Sequence, residues 1–335
     1  MDEEGLAELL EIQDGVIARW QAVELGCTPN DIRRLLRRRE WVRVFPGVYV
    51  DHSGPLTWQQ RAWSAVLLAW PAALCHSTAI RAADGPGRRS FDESAPLHVA
   101  VDRDRKFVAD PARIVAHRLV GLEGKVNWNA RPPRVRVEEA VLDVAAGADD
   151  DFSAIEALSN AVQSRRTTAK RIQAALEDRP RIARREFLGS VLTDIADGTC
   201  SVLEHGYLTK VERPHGLPSA DRQLGGSARG PVYRDVTYVG QSLVVELDGR
   251  LFHDSATARD KDMDRDLEAA IDGLRTVRVG WGQVYRRPCL TAQRIGRLLQ
   301  QSGWTGAPAG CPACDSGQRG DPVSPDDINR PHSPA

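Results

Sequence analysis

The spacing of apolar and polar residues near the N-terminus predicts three helices. Residues 5–12 have helical apolar spacing, and a second helix is predicted over Ile17–Leu25, where Gly26 stops it. Thr28 is a good N-cap for a third helix, because Asp31 follows three residues later. The third helix carries its isoleucine and leucines on one side and arginines on the rest.

A β-rich stretch over residues 41–50 follows this basic helix and contains a Pro46-Gly47 turn. Helix, helix, basic helix and hairpin is the element order of a winged helix-turn-helix. We therefore predict a winged helix-turn-helix DNA-binding domain over residues 1–52.

The next stretch, residues 53–195, is predicted to be a mixed α/β region. Two helices are expected over 56–85, the second capped by Ser77 and ended by Gly85. Within it, Trp63–Cys75 is predicted to be a buried helix, because it is too short to cross a membrane. Short strand-like runs follow at 97–101, 113–117 and 135–137, and residues 138–212 are again helical in pattern.

Residues 196–302 are predicted to form an α/β domain with a mixed sheet. Strands are expected over 232–239, over 242–247, which contains the apolar run 243–245, and over 275–279. Helices are expected over 260–272 and 291–300, and residues 303–335, rich in Gly, Pro, Asp and Ser, are predicted to be a disordered tail. The fold class expected for the whole chain is therefore mixed α+β, in two or three domains for its 335 residues.

Charge is distributed unevenly although the net charge is only −1. Residues 1–27 hold seven acidic residues and one arginine, whereas residues 28–43 hold six arginines and two acidic residues. A recognition helix presents such side chains to base edges and phosphates. Because the first residues are acidic, we expect no secretory signal and a cytoplasmic location. The residues predicted to contact DNA are Arg33, Arg34, Arg37 and Arg38, with Arg39 and Arg43 from the wing.

The six cysteines are scattered, and most are expected to be small buried residues of a reduced protein. Cys311 and Cys314 have the spacing of half a zinc site. The second half is missing from the local sequence, and Cys289 and His332 are poorly spaced partners. The favoured interpretation of this stretch is therefore part of a disordered tail.

Carboxylates at the ends of the C-terminal strands indicate metal chemistry. Asp235 lies on one predicted strand, and Glu246 and Asp248 end the next, on one face because strand side chains alternate. Glu204, on a helix, is a candidate for the third position. Burying several carboxylates beside an apolar strand is costly without a cation, and Mg²⁺ or Mn²⁺ bound there would promote phosphodiester hydrolysis.

Further polar residues follow the acidic strand. His253 is placed to act as a general acid or base, and Arg250 to neutralise charge on a phosphate. Asp262, Arg265 and Asp266 share one face of the predicted helix.

These motifs together resemble the very-short-patch-repair-endonuclease-like branch of the PD-(D/E)XK nuclease superfamily. The resemblance covers about a third of the chain and implies a mixed sheet flanked by helices with Mg²⁺ at the site. Many members place a lysine two residues after the second acid, where this chain has Asp248; the repair-endonuclease branch also lacks it and uses histidine. The matching residues are Ser201-Val202-Leu203-Glu204, Asp235, the run from Glu246 to His253, Asp262–Asp266, Gly273 and Trp281.

Residues 5–50 are similar to the N-terminal domain of AbiEi-type antitoxins of type IV toxin–antitoxin systems, and residues 55–195 to the region that often follows it. This resemblance implies DNA-binding autoregulation and neutralisation of a cognate toxin. For His76, which lies in this second region, we expect a structural role. The matching residues are Gly15-Val16-Ile17, Arg19, Gly26, Arg33–Arg38, the run from Val44 to Tyr49, and Cys75-His76-Ser77-Thr78-Ala79.

Three functions therefore compete: a DNA-targeted endonuclease, a transcriptional regulator or antitoxin-like protein with a non-catalytic nuclease fold, and a protein-interaction module. Joint retention of the acidic residues and His253 favours the first, and the missing lysine favours the second. The sequence leaves the oligomeric state open.

Overall fold

The computed structural model describes residues 1–85, 92, 94–197, 201–222, 235–249 and 275–315. This part of the chain has the expected mixed α+β character, and its strands form three sheets. Two compact units divide the chain: unit 1 is Met1–Gly147 with Ala174–Pro180, and unit 2 is Ala148–Gln173 with Arg181–Ala335. None of the described helices is long and apolar enough to cross a bilayer.

The N-terminal part of unit 1 has three helices and a three-stranded sheet. In this sheet β3 lies between β1 and β2 and is antiparallel to both. The elements are α1 (Glu3–Ile12), β1 (Val16–Ala18), α2 (Arg19–Glu24), α3 (Pro29–Arg37), β2 (Val42–Phe45) and β3 (Val48–Val50).

The helix predicted over residues 17–25 is wrong at its start, where the chain forms β1. Val16, Ile17 and Ala18 are fully buried, and Val16 pairs with Val50 of β3. The free energy of strand pairing and burial thus outweighs the local helical pattern.

The predicted cap of α3 is confirmed. The Asp31 amide donates to Thr28 Oγ1 at 3.2 Å, and the Thr28 amide donates to Asp31 Oδ2 at 3.0 Å. This reciprocal pair satisfies two amides that the first helical turn leaves without partners. Ile32 is buried with Trp41 and Tyr49, so α3 turns its arginines to solvent.

The rest of unit 1 is built on a five-stranded sheet of order β6-β5-β4-β8-β7. The elements are α4 (Trp58–Leu68), β4 (Ala72–Leu74), α5 (His76–Asp84), β5 (Leu97–Asp102), β6 (Ile114–Leu119), α6 (Leu122–Lys125), β7 (Val126–Asn127), β8 (Arg134–Val135) and α7 (Val137–Ala146).

The single buried helix predicted over Trp63–Cys75 is wrong in its second half. The helix α4 ends at Leu68, and Ala72–Leu74 form the central strand β4, fully buried between β5 and β8. The next helix, α5, has Cys75 rather than Ser77 as its N-cap, and it ends at Gly85 as predicted.

Unit 2 holds a four-stranded mixed sheet of order β12-β11-β10-β9, in which β11 and β12 are parallel and the other pairs antiparallel. The predicted helix 260–272 lies outside the described residues. The elements are α8 (Asp151–Gln163), α9 (Ala169–Glu177, which crosses the unit boundary), α10 (Arg185–Asp197), α11 (Ser201–Gly206), a π-helical turn (Tyr207–Glu212), a 3-10 turn (Arg213–His215), β9 (Asp221–Arg222), β10 (Asp235–Tyr238), a 3-10 turn (Val239–Gln241), β11 (Leu243–Asp248), β12 (Arg275–Gly280), a second π-helical turn (Gly282–Arg286), α12 (Pro288–Gln301) and α13 (Pro312–Asp315).

The strand β11 shows the predicted division of its faces: Leu243, Val245 and Leu247 have no exposed surface, while Glu246 and Asp248 are half-buried. This alternation sets the two carboxylates on the face opposite the core.

Part of the predicted disordered tail is ordered. The amide of Ala309 donates to the carbonyl of His215 at 2.8 Å, and Cys311 is buried. Residues 316–335 of the tail lie outside the described residues. The contacts of this segment reach back to a distant turn and follow no local apolar period. The sequence pattern therefore did not predict them.

Candidate active site and metal-binding clusters

Two of the predicted acidic residues are partners in the sheet of unit 2. The antiparallel register of β10 and β11 sets Asp235 opposite Glu246. Directly opposite residues belong to the same face of a sheet, and so does a residue two positions along one strand. Glu246 and Asp248 therefore share one face at the C-terminal end of β11, and Asp235 lies at the register position opposite Glu246.

The guanidinium group of Arg278, which was not predicted from the sequence, lies beside Glu246. The parallel register pairs Glu246 with Arg278 of β12, and Arg278 Nε donates to Glu246 Oε2 at 2.9 Å. The side chain of Glu246 is 18% exposed and that of Arg278 is 38% exposed, so solvent reaches the pair. The available signal was a charged residue within an apolar strand, but no local motif links it to Glu246.

One of the remaining predicted residues of this site, Glu204, lies on a helix, and the others lie outside the described residues. Glu204 is half-buried on α11, which is held by the hydrogen bond from the Tyr285 hydroxyl to the Val202 carbonyl at 2.8 Å. The predictions for His253, Arg250 and the Asp262–Asp266 helix fall outside the described residues.

All six predicted DNA-contacting arginines are exposed in unit 1. Two of those on or next to α3 have local anionic partners: Arg34 Nη2 lies 3.4 Å from Asp31 Oδ1, and Arg38 Nη1 lies 3.6 Å from Glu40 Oε1. Such exposed pairs are weak and leave the guanidinium groups able to exchange partners. Of the six, Arg33, Arg34 and Arg37 lie within α3, Arg38 is its C-cap, Arg39 follows with a positive φ, and Arg43 lies on β2.

Three histidines form a cluster at the N-terminus of α5 that the sequence analysis did not predict. The rings of His76 and His117 stack with centroids 3.7 Å apart, and His98 Nδ1 lies 2.9 Å from His117 Nε2. The ligand atoms of Cys75, His76 and His117 all lie within 4.8 Å of one another. The strands β5 and β6 bring His98 and His117 together, because their parallel register sets His98 opposite Val115, two residues before His117 and therefore on the same face.

Burial favours the neutral form of these histidines. Desolvation lowers the pKa of His76 to about 4, despite Asp143 Oδ2 at 3.8 Å, which acts in the opposite direction. Desolvation also lowers the pKa values of His98 and His117. Asp143 is itself paired with Arg179, which also binds the buried Glu139. The structural role expected for His76 stays a prediction.

A second cluster, in unit 2, joins His215, Cys289, Cys311 and Cys314. Their ligand atoms all lie within 4.8 Å of one another. The pair Cys311 and Cys314 is the one with the spacing of half a zinc site, although a disordered tail was the favoured interpretation, and Cys289 is one of the two partners considered for it. The other partner, His332, lies outside the described residues; His215, from a turn far earlier in the chain, completes the set.

No protein-family model matches the chain, and a search of curated proteins gave no match.

Proposed function

We propose that this protein is a DNA-binding endonuclease that hydrolyses phosphodiester bonds with Mg²⁺ or Mn²⁺. The observation that carries the proposal is the pairing of Asp235 with Glu246 on adjacent strands, with Asp248 two residues further along β11. Acidic residues at these three neighbouring sheet positions, at a strand end, are suited to a hard divalent cation.

The donor chemistry of this face fits such a cation. The described donors are oxygens, and Glu246 is partly exposed, so a hydrated cation and a phosphate can approach it. Asp235, Glu246 and Asp248 would hold the ion, and Glu204 stays the helical donor predicted from the sequence. The ion would polarise the phosphate and lower the pKa of the attacking water.

The chain's own side chains would orient and neutralise the reacting groups. Arg278 fixes the carboxylate of Glu246 through its Nε hydrogen bond. The positive charge of Arg278 lies on the strand beside Glu246. This charge offers a substitute for the lysine that many nucleases of the PD-(D/E)XK superfamily carry two residues after the second acid. His253 and Arg250 remain the predicted proton-transfer and phosphate-binding residues.

The DNA-binding part of the proposal rests on unit 1. The order α1-β1-α2-α3-β2-β3, with β3 central in its sheet, supports a winged helix-turn-helix. In that fold α3 is the recognition helix, and it exposes its arginines while burying Ile32. DNA is the proposed partner; a cytoplasmic location and a cognate toxin stay predictions from the sequence.

One observation favours the alternative, a transcriptional regulator or antitoxin-like protein with a non-catalytic nuclease fold. The ion pair between Arg278 and Glu246 occupies a carboxylate oxygen that the metal would need. A site that had lost catalysis would retain such a pair for stability alone.

A plasmid-nicking assay decides between the two functions. We expect the wild-type protein to nick supercoiled DNA with Mg²⁺ or Mn²⁺, and Asp235→Ala and Glu246→Gln to abolish nicking. The exposed Glu186, on α10 of the same unit, supplies the control Glu186→Gln, which should nick like the wild type. Equal nicking by wild type and Glu246→Gln would reveal a contaminant and reject the enzyme; no nicking at all would favour the regulator.

DNA binding has a separate test. The Arg33→Ala/Arg37→Ala variant should bind duplex DNA from its own promoter more weakly than the wild type. Its affinity should also depend less on salt, because fewer phosphate contacts release fewer counterions. An unchanged salt dependence would argue against α3 as the DNA-contacting helix.

A further inference from the structure

We propose that His215, Cys289, Cys311 and Cys314 bind one structural zinc ion in unit 2. Three cysteines and one histidine are a common ligand set for tetrahedral structural zinc. The proposal does not depend on nuclease activity, since these residues lie on other elements than the acidic face of β10 and β11.

The distances between the ligand atoms match a tetrahedron around one ion. The Sγ atoms of Cys289 and Cys311 are 3.6 Å apart, and those of Cys311 and Cys314 are 3.7 Å apart. His215 Nε2 lies 3.7 Å from Cys314 Sγ. With zinc–sulfur bonds of about 2.3 Å, the edge of a tetrahedral site is about 3.8 Å. The two sulfur–sulfur distances agree with that value, and the sulfur–nitrogen distance is close to the edge of about 3.6 Å that a zinc–nitrogen bond of about 2.1 Å gives.

The ring of His215 is oriented for coordination through Nε2. Its Nδ1 lies 2.9 Å from the Val211 carbonyl, a contact in which Nδ1–H donates. A hydrogen bond at Nδ1 places the free lone pair on Nε2, the atom that faces Cys314. Metal-binding histidines are commonly held by this kind of backbone contact.

Neither a disulfide nor an oxygen-ligated cation accounts for the cluster. A disulfide requires sulfurs about 2.05 Å apart and would pair only two of the three thiols. Three soft sulfur ligands with one imidazole favour zinc over magnesium. Burial also matters: His215 is 1% exposed, Cys289 7% and Cys311 8%, so three of the four ligands are shielded from water, and Cys314 is half-buried.

The ion would fasten distant segments of unit 2 together. His215 ends the 3-10 turn after α11, Cys289 lies in the first turn of α12, and Cys311 and Cys314 belong to the segment after α12. Four protein ligands fill a tetrahedral site, so no position is left for substrate and the role is structural. The site also explains why residues 303–315 are ordered without an apolar pattern of their own.

The test is metal analysis of the full-length protein purified under reducing conditions without chelator. We expect one zinc per chain, and Cys311→Ser and Cys314→Ser each to lower apparent zinc affinity at least tenfold in competition with a chromophoric chelator. The control is Cys27→Ser, a buried cysteine of unit 1 outside the cluster, which should keep its zinc.

Two measurements on the wild type keep the proposal testable if a variant does not fold. Cobalt substitution should give the intense visible bands of tetrahedral cobalt–thiolate coordination. Zinc should also protect Cys289, Cys311 and Cys314 from alkylation, with the protection lost on chelation. Zinc-free protein without cobalt bands, unchanged affinity in both serine variants, or a Cys289–Cys311 disulfide in the reduced preparation would each overturn the proposal.

Discussion

At the residue scale, the histidine cluster of unit 1 shows how burial determines charge. Asp143 favours a protonated His76, yet desolvation is the larger effect and lowers its pKa to about 4. Arg179 explains part of this outcome, because it pairs with Asp143, the carboxylate beside His76, and offsets its charge.

This cluster predicts a loss of stability in acid. The pKa of His76 is about 4 in the folded state and about 6.5 in the unfolded chain, so between these values the unfolded state binds the proton more tightly. The contribution of neutral His76 to the free energy of unfolding is therefore fully present above pH 6.5. It is lost as the pH falls towards 4, and the loss for this residue is about 3 kcal/mol.

The measurement is the melting temperature between pH 7.5 and pH 4.5. His76→Asn should flatten this dependence, and asparagine suits the positive φ of 49° at this position. The control His205→Gln changes an exposed histidine and should follow the wild type. A wild-type slope in His76→Asn would contradict the prediction.

The buried charges beside this cluster predict a large mutational effect. Arg179 is 9% exposed and pairs with both Glu139, which is 1% exposed, and Asp143. Arg179→Met leaves those carboxylates without their main partner and should lower the free energy of unfolding by about 3–5 kcal/mol. Urea unfolding measures this, with the exposed Arg181→Met as control. A loss no larger than that of the control would show the pairs to be unimportant.

If the protein is the proposed nuclease, we expect substitution of Arg278 to change the rate of nicking. If its charge stabilises the reacting phosphate, Arg278→Gln should lower the nicking rate about 10²–10³-fold, and Arg278→Lys should restore part of it. The control is Arg275→Gln, on the same strand but paired with Gln301. Faster nicking in Arg278→Gln would instead show that the pair merely blocks the metal ligand Glu246.

At the element scale, the helix α11 lies so close to the ring of Tyr285 at Gly206 that this position favours glycine. A Cβ at this position would lie 2.6 Å from the ring of Tyr285, whose hydroxyl is held by the Val202 carbonyl. Alanine normally favours a helix over glycine by about 1 kcal/mol. Overpacking against a fixed ring costs about 1–3 kcal/mol, so the clash wins.

We therefore expect Gly206→Ala to destabilise unit 2, measured as a lower melting temperature. Gly240→Ala is the matched control in the same unit, because nothing lies within 4 Å of its added Cβ. Equal melting temperatures for the two variants would mean that α11 moves away from Tyr285 at little cost.

The elements that the sequence predicts well are those with a local signal, either a β-prone run or a helix cap. The run 243–247 and the strand 275–279 are examples, and so is α3, whose cap is encoded by Thr28 and Asp31. The strands β1 and β4 were missed, since both become strands through pairing with distant partners. Their short sequences fit a helix equally well.

At the scale of the whole molecule, two metals are proposed in unit 2 with different chemistry. Chelator-treated protein should lose both nicking and thermal stability. Mg²⁺ should then restore nicking only when the fold is intact, whereas zinc should restore the melting temperature without restoring nicking. Calorimetry and the plasmid assay, run on the same samples, measure the two effects. Full recovery of stability with Mg²⁺ alone would contradict the assignment of a structural zinc site.

The two candidate sites differ in how far the sequence could define them. Glu246 and Asp248 share a face because they are two residues apart on one strand, and this local rule holds before any tertiary contact forms. The opposite position of Asp235 depends on the register of the hairpin, which the apolar pattern of β10 and β11 also favours.

The sequence by itself therefore determined the mixed α+β class, the basic helix with its cap, and the acidic strand end. Only the tertiary structure decided that Arg278 pairs with Glu246 and that His76, His98 and His117 share a cluster. It alone placed His215 beside three cysteines. The physical reason is that periods of two and 3.6 residues are encoded locally, whereas contacts between distant residues follow from sheet register and packing.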